Sequence, residues 1–251
     1  MSIHLYALPY AGGHSLVYRP LQQALAHSPI TLQTLELPGR GKRAKEPLLH
    51  DIDRLVEDLF SQLRPQLTPG QPYALFGHSM GSLLAVLLAR HLAQTPATPQ
   101  PCHLFCSGRG APSVRGEQLR NESDYRPKHT LPTPEFWAYI DSLGGIPPEL
   151  KQHRELMEYV EPIVRADVAA LENYTPVTDA PALTVPISVI YGIEDNELHP
   201  EGMAAWRSVS TLPLTLLPIS GGHFSLFEQL PWLTASLHEK LVPIDATENF
   251  S

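Results

Sequence analysis

The chain alternates between short apolar runs and stretches in which apolar residues recur with the period of a helix. The apolar runs predict strands at residues 3–8, 30–35, 73–76, 102–106, 185–191 and 214–218. The helical period predicts helices at 16–26, 52–63, 82–91, 200–207 and 231–241. Because strands that alternate with helices form parallel sheets, we expect an α/β protein with a mostly parallel central sheet flanked by helices.

This alternation stops after the fourth predicted strand. From 113 to 176 the sequence is first polar and then helical in pattern, at 134–143, 148–159 and 163–174. We therefore predict a core formed by 1–112 and 177–243, an all-helical insertion at 113–176 and a flexible tail at 244–251. The insertion is either a mobile lid over a site, with Gly144 and Gly145 as its hinge, or a fixed structural cap.

Composition narrows the class of protein. A length of 251 residues with 43% hydrophobic content suits one α/β domain with an inserted subdomain. No apolar run reaches the roughly 18 to 20 residues of a membrane span, and the N-terminus lacks a signal-peptide pattern. The formal net charge of −8 argues against nucleic acid as a partner. We therefore expect a cytoplasmic protein that does not enter the membrane. We also expect it to be a monomer, although composition does not show this.

The strongest candidate for chemistry is Gly77-His78-Ser79-Met80-Gly81, which lies between a predicted strand and a predicted helix. In this context Gly-x-Ser-x-Gly is typical of a nucleophile elbow, a strained turn that exposes the serine hydroxyl above a parallel sheet. The glycines allow strand and helix to approach closely. At the helix start, the N–H of Met80 is free to bind a developing oxyanion. An ordinary glycine-serine turn is the alternative.

Two further loops carry candidate residues. The first predicted strand ends in Pro9-Tyr10-Ala11-Gly12-Gly13, where the hydrolase fold places a second oxyanion donor. We expect the backbone N–H of Ala11 to pair with that of Met80, and a simple strand-to-helix turn is the alternative. The loop at 38–45 holds Arg40, Lys42, Arg43 and Lys45, which either bind phosphate or form a solvated charged face.

Ser79 is followed along the chain by an acid after a later strand and a histidine after the last strand, the order of an α/β-hydrolase triad. A serine hydroxyl needs a neutral imidazole to accept its proton, and that imidazole needs a carboxylate to fix its tautomer. Asp195 is the favoured acid, with Glu194 and Glu197 as rivals. His223 is the favoured base because its Gly-Gly loop follows the last predicted strand.

With these residues in place, the sequence resembles the stand-alone type II thioesterases of nonribosomal peptide and polyketide synthases. The resemblance covers nearly the whole chain, and its more specific blocks are Pro38-Gly39-Arg40-Gly41, Ser107-Gly108-Arg109 and Arg165-Ala166-Asp167. One departure is Asn196-Glu197 after the acid, where the family often has proline. We expect the Arg-Ala-Asp block to form a salt bridge within the lid.

The resemblance implies a serine thioesterase that forms an acyl-serine intermediate and removes acyl groups from the phosphopantetheine arm of carrier proteins. It implies no metal and no cofactor, since the substrate itself carries the pantetheine. Carrier proteins are usually acidic, so a local basic patch is expected on this acidic chain. Its candidates lie near the start of the insertion: Arg109, Arg115, Arg120, Arg126 and Lys128.

Three other functions compete with this one. A helical insertion also suits an esterase or lipase on small free esters, although the family-specific blocks count against it. A chain-terminating cyclase usually lies inside a megasynthase, whereas we expect a free-standing chain that begins at Met1. A non-enzymatic binding protein on a hydrolase scaffold would be expected to lose triad members, and all of them are present here.

Overall fold

The computed structural model of the protein describes residues 2–114, 126–146, 148–177 and 179–242. Its centre is a parallel sheet of six strands in the order β2-β1-β3-β4-β5-β6. The strands are β1 (Ile3–Leu8), β2 (Ile30–Thr34), β3 (Tyr73–His78), β4 (His103–Ser107), β5 (Ile187–Gly192) and β6 (Leu214–Ile219). The predicted α/β class and parallel sheet are confirmed.

Helices cover both faces of this sheet. They are α1 (Arg19–Ala24), α2 (Ile52–Leu63), α3 (Met80–Gln94), α4 (Thr133–Ser142), α5 (Pro148–Lys151), α6 (Arg154–Asn173), α7 (Pro200–Ala204) and α8 (Leu230–Leu241). One apolar cluster joins α2 and α3 to the sheet, and a second joins α1 and α8 to it. β3 and β4 are buried at every position because helices cover both faces of the sheet. Strands buried in this way appear in a sequence as continuous apolar runs.

The amphipathic pattern of α2 determines both the extent of this helix and the side that it packs against α3. Its apolar side, which includes Leu55 and Leu59, is buried against α3, and its opposite side is exposed. The carboxylate of Asp51 accepts the backbone N–H of Arg54 at 3.0 Å and caps the helix start. The strand that follows α2 is β3, so this helix anchors the strand that leads into Ser79.

The helical insertion is built from α4, α5 and α6 around a small apolar cluster of Phe136, Val164 and Val168. The prediction of separate helices at 148–159 and 163–174 was wrong, because α6 runs unbroken from Arg154 to Asn173 with Pro162 inside it. Proline lacks the N–H that an interior helical position donates. Burial of the apolar residues that follow Pro162 offsets this loss, and the break in the chain falls before α6 instead.

The insertion has the helical character that the sequence predicts, and its described residues include no strand. Its role as a lid stays a prediction. Gly144 adopts a φ of +75° with open space around its Cα, which suits a turn that can move. The predicted tail at 244–251 lies outside the described residues. Across the described residues, the helices are too short or too polar to cross a membrane.

Candidate active site

Ser79 lies at a sharp turn between β3 and α3. Its backbone φ is +52° and its ψ is −112°, a strained region that non-glycine residues rarely occupy. A Cβ at Gly77 would lie 2.0 Å from the Gly81 carbonyl oxygen, and one at Gly81 would lie 2.1 Å from the Leu8 carbonyl oxygen. Both glycines are therefore required by backbone packing. The N–H of Ser79 donates to the Ser107 carbonyl at 2.8 Å, which fixes the turn to β4.

Asp195 and His223 meet at the carboxyl ends of β5 and β6. The two residues are 28 positions apart in sequence, and Nδ1 of His223 lies 2.7 Å from Oδ2 of Asp195. Both side chains are almost completely buried, at 1% exposure for Asp195 and 7% for His223. With a proton on Nδ1 the ring donates to the carboxylate, and Nε2 is left as an acceptor.

The rival acids occupy different places. The N–H of Glu194 bonds to the Gly221 carbonyl at 3.0 Å, which ties the loop after β5 to the loop after β6. Glu197 donates its own N–H to Oδ1 of Asp195 at 3.0 Å, and its side chain lines the cavity described next. Asp195 is thus the acid whose carboxylate contacts His223.

Ser79, His223 and Ala11 all line one cavity of about 550 Å³ between the sheet and the helical insertion. Met80 is the first residue of α3, so its N–H has no acceptor in the preceding turn of that helix. The insertion supplies the apolar part of the wall, which includes Trp137, Ile140, Leu143, Leu156, Val160, Val164 and Val168. The cavity therefore joins the candidate catalytic residues to a chamber suited to an apolar chain.

The loop that carries Ala11 is held by a buried ion pair that the sequence analysis missed. Asp167 of α6 accepts the N–H of Gly12 at 2.7 Å and pairs with Arg40 through two contacts of 2.5 and 2.8 Å. Both readings of the loop at 38–45 were wrong for Arg40, which is only 2% exposed and is fully paired inside the protein.

The Arg-Ala-Asp block is also only partly as expected. Arg165 does form a salt bridge within α6, at 2.7 Å from Glu161. Asp167 instead bonds to the core, because it lies on the helix side that faces the Pro-Gly-Arg-Gly loop. Arg40 and Asp167 are 127 residues apart, so their pairing has no local signal in the sequence.

His78 is a second residue that the sequence analysis missed. Its side chain is fully buried, and its ring centroid lies 4.9 Å from that of His223 and 5.0 Å from that of Phe224. Burial, followed by the neighbouring His223, holds the pKa of His78 well below the usual value. A neutral, immovable ring therefore packs beside His223 and limits how that imidazole can turn.

The described candidates for the basic patch have different surroundings. Arg109 lines the cavity beside Tyr139 and Glu197, and burial lowers its pKa. Arg126 is 65% exposed and lies 4.0 Å from Glu135. Arg115 and Arg120 lie outside the described residues.

Comparison with known proteins places this geometry in a family. The family model for the thioesterase domain matches residues 3–241. Linear gramicidin dehydrogenase LgrE of Brevibacillus parabrevis is 33% identical, over 94% of this chain and 87% of its own. Thioesterase PikA5 of Streptomyces venezuelae is 32% identical, over 91% of this chain and 77% of its own. The structure of the type II thioesterase BorB from the borrelidin biosynthetic cluster gives a TM-score of 0.83 at 34% identity, covering 96% of this chain and 93% of that one.

The name of LgrE describes a dehydrogenase, whereas the family model and the names of PikA5 and BorB describe thioesterases. Family and structure together favour a hydrolase of thioesters over the alternative that acts on small free esters. The chain therefore belongs to the thioesterase family, as a type II thioesterase of α/β-hydrolase fold and of the kind found in nonribosomal peptide and polyketide synthesis.

Proposed function

We propose that Ser79 is the nucleophile, His223 the general base and Asp195 the acid that orients it. The observation that carries this proposal is the buried contact of 2.7 Å between His223 and Asp195 beside the strained Ser79 turn, on the wall of one cavity. Asp195 fixes the proton of His223 on Nδ1, which leaves Nε2 free to accept the Ser79 proton. The mechanism uses no metal and no cofactor.

The reaction runs in two halves. Ser79 Oγ attacks the thioester carbonyl while its proton passes to Nε2 of His223. The tetrahedral intermediate then collapses, the C–S bond breaks, and the leaving sulfur takes the proton from His223 as a thiol. In the second half His223 takes a proton from water, whose oxygen attacks the acyl-serine carbonyl. Collapse of that intermediate returns the proton to Ser79 and releases the carboxylic acid.

The backbone N–H groups of Met80 and Ala11 hold the negative oxygen in both halves. Met80 offers an N–H at the positive end of α3, a helix of 15 residues. Ala11 offers a second from the loop after β1, and it lines the same cavity as Ser79. Removal of one such donor in a hydrolase costs roughly 10² to 10³ in turnover.

We infer that the acyl groups arrive on the pantetheine arm of carrier proteins and include mis-primed or stalled groups. The apolar wall of the insertion accommodates the acyl chain, and helices at 113–176 act as a lid beside which a cytoplasmic carrier protein docks. Arg126 is the exposed cation among the described candidates and fits an acidic partner. The residues proposed for catalysis all come from one chain, so catalysis requires no second copy, and we propose a monomer.

Intact mass spectrometry of acyl-carrier proteins tests this function. A carrier loaded with acetyl or octanoyl groups should lose the acyl mass on incubation with the enzyme and regain a free pantetheine thiol. The Ser79→Ala variant serves as the control and should leave the carrier loaded. Faster cleavage of the same acyl group from a simple oxygen ester than from the carrier would contradict the proposal.

A further inference from the structure

The ion pair between Arg40 and Asp167 joins three separate parts of the chain at one buried point. Asp167 belongs to α6 of the insertion and is 0% exposed, and Arg40 belongs to the loop after β2. The third part is the loop at 9–13, whose Gly12 N–H donates to Asp167 although the two residues are 155 positions apart.

The two oxygens of Asp167 have different partners. Oδ1 accepts from Nη2 of Arg40 at 2.8 Å, and Oδ2 is shared between Nη1 of Arg40 at 2.5 Å and the Gly12 N–H at 2.7 Å. Nη1 of Arg40 also donates to the Gly13 carbonyl at 3.3 Å. The peptide group before Gly12 and the peptide group after Gly13 are thus held by one side-chain pair.

Gly12 needs such support because glycine has the least restricted backbone of any residue. Its φ is +77°, a region that glycine enters without cost, and no side chain of its own anchors it. Ala11 directly precedes it, so the direction of the Ala11 N–H depends on how the peptide that follows Ala11 is held. A buried N–H that loses its acceptor turns toward another one, and the loop turns with it.

We propose that Asp167 is a positioning residue for the oxyanion hole and that Arg40 holds the Asp167 carboxylate in place. This inference rests on the proposed function, in which the Ala11 N–H stabilises the oxyanion. Asp167 does not touch the substrate. It acts through Gly12, and its loss displaces a hydrogen-bond donor that must lie close to the developing charge.

Two double variants isolate the acceptor for Gly12 from the charge of the pair. Arg40→Met with Asp167→Asn keeps an oxygen that can accept the Gly12 N–H, whereas Arg40→Met with Asp167→Leu removes it. Both are neutral and of similar shape, and replacement of a buried ion pair by uncharged side chains commonly leaves a protein folded. Apart from the amide NH2 that asparagine adds, the two variants therefore differ in the acceptor for the Gly12 N–H.

The expected result is a difference in kcat on a small acyl thioester that needs no carrier protein. The leucine variant should turn over about 10²-fold more slowly than the asparagine variant, with little change in KM. An alkyl trifluoromethyl ketone, which forms an anionic adduct with a catalytic serine, should bind more weakly by a similar factor. If the ion pair had only a structural role, its replacement would lower the melting temperature, and the ratio of kcat between the two variants would be near one.

A second ion pair on the same loop provides the matched control. Arg43 pairs with Asp58 of α2 at 2.6 Å and also with Glu46, and its side-chain hydrogen bonds go to Glu36, Glu46 and Asp58 rather than to the loop at 9–13. Arg43→Met with Asp58→Leu and Arg43→Met with Asp58→Asn should have equal kcat values.

Equal kcat values for the two Arg40–Asp167 double variants would overturn the inference. If the leucine variant does not fold, Arg40→Lys decides the question: it keeps the charge but loses the two-pronged contact, so kcat should fall about 10-fold. An unchanged kcat in that variant would overturn the inference as well. Absence of thioesterase activity in the unmodified enzyme would instead contradict the proposed function.

Discussion

The two walls of the cavity are built on different principles. The core wall consists of the loops at the carboxyl ends of the strands, including Ser79, Ala11 and His223. There, backbone packs on backbone, and an added Cβ at Gly77, Gly81 or Gly192 would meet a carbonyl oxygen within 2.4 Å. The wall formed by the insertion, which we call the lid wall after its predicted role, includes apolar side chains of α4 and α6, and a Cβ added at the nearby Gly144 would meet no atom within 4 Å.

This difference assigns the chemical reaction to the core wall and the selectivity for the acyl chain to the lid wall. Transfer of a proton and stabilisation of an oxyanion require fixed positions, and close backbone contacts supply them. Recognition of an acyl chain requires only apolar area of suitable shape, which different side chains can provide. Changes in the core wall should therefore affect all substrates alike, whereas changes in the lid wall should affect substrates according to chain length.

The largest effect is expected at Ser79. Ser79→Ala should reduce turnover by about 10⁴ to 10⁶ on every acyl thioester, because no acyl-enzyme can form. Its melting temperature should stay close to that of the unmodified protein, since the hydroxyl faces the cavity. Steady-state kinetics with acetyl and octanoyl thioesters, together with thermal unfolding, measure both. Retention of a tenth of the activity would remove Ser79 from the mechanism.

The acid of the triad comes next. Asp195→Asn should lower kcat by about 10² to 10⁴ because it leaves His223 in the wrong tautomer. Glu194→Gln is the matched control one position earlier, and it should have a mild effect since Glu194 contributes a backbone contact. Measurement of kcat for both variants at one pH is sufficient to rank the two effects. The opposite ranking would assign the acid to Glu194.

Glycine substitutions test the two walls through stability. Gly77→Ala should lower the free energy of unfolding by more than about 3 kcal/mol, because its Cβ would lie 2.0 Å from backbone. Gly144 adopts a positive φ, but a Cβ there would meet no atom within 4 Å, so Gly144→Ala should cost only about 1 kcal/mol. Urea denaturation measures the free energy of unfolding of both variants. Similar losses would mean that the two walls are equally constrained.

The smallest effect is expected in the lid wall. Val160→Trp should lower kcat/KM for an octanoyl thioester by about 10-fold, because the larger ring occupies volume needed by the chain, and should leave the acetyl substrate nearly unchanged. Tyr159→Trp is the control, since Tyr159 is 59% exposed on the same helix and does not line the cavity. A loss shared equally by both substrates would show that the lid wall also positions the reacting carbonyl.

The sequence predicted the features that depend on local pattern. The parallel sheet followed from short apolar runs, and the strained turn at Ser79 followed from glycines two residues to either side within a strand-to-helix context. The contact of Asp195 with His223 followed from chain order, because parallel strands bring their carboxyl ends to one edge. Their catalytic roles, and those of Met80 and Ala11, stay predictions.

Features that depend on distant partners were not predictable. The burial of Arg40 is decided by Asp167, and a basic loop rich in glycine looks the same whether it is solvated or paired. The continuity of α6 through Pro162 is decided by burial against the core rather than by local propensity. His78 was passed over because a histidine beside a serine shows nothing of the aromatic rings that surround it.

The strained turn at Ser79 has a consequence for the order in which the protein matures during synthesis. Its conformation costs on the order of 1 to 3 kcal/mol, and the N–H bond to Ser107 helps to hold it. Ser107 leaves the ribosome after Ser79, and His223 follows much later, after the last strand of the sheet. With the proposed roles of Ser79 and His223, a nascent chain carries an inert serine until that strand has joined the sheet, and it cleaves no thioester before then.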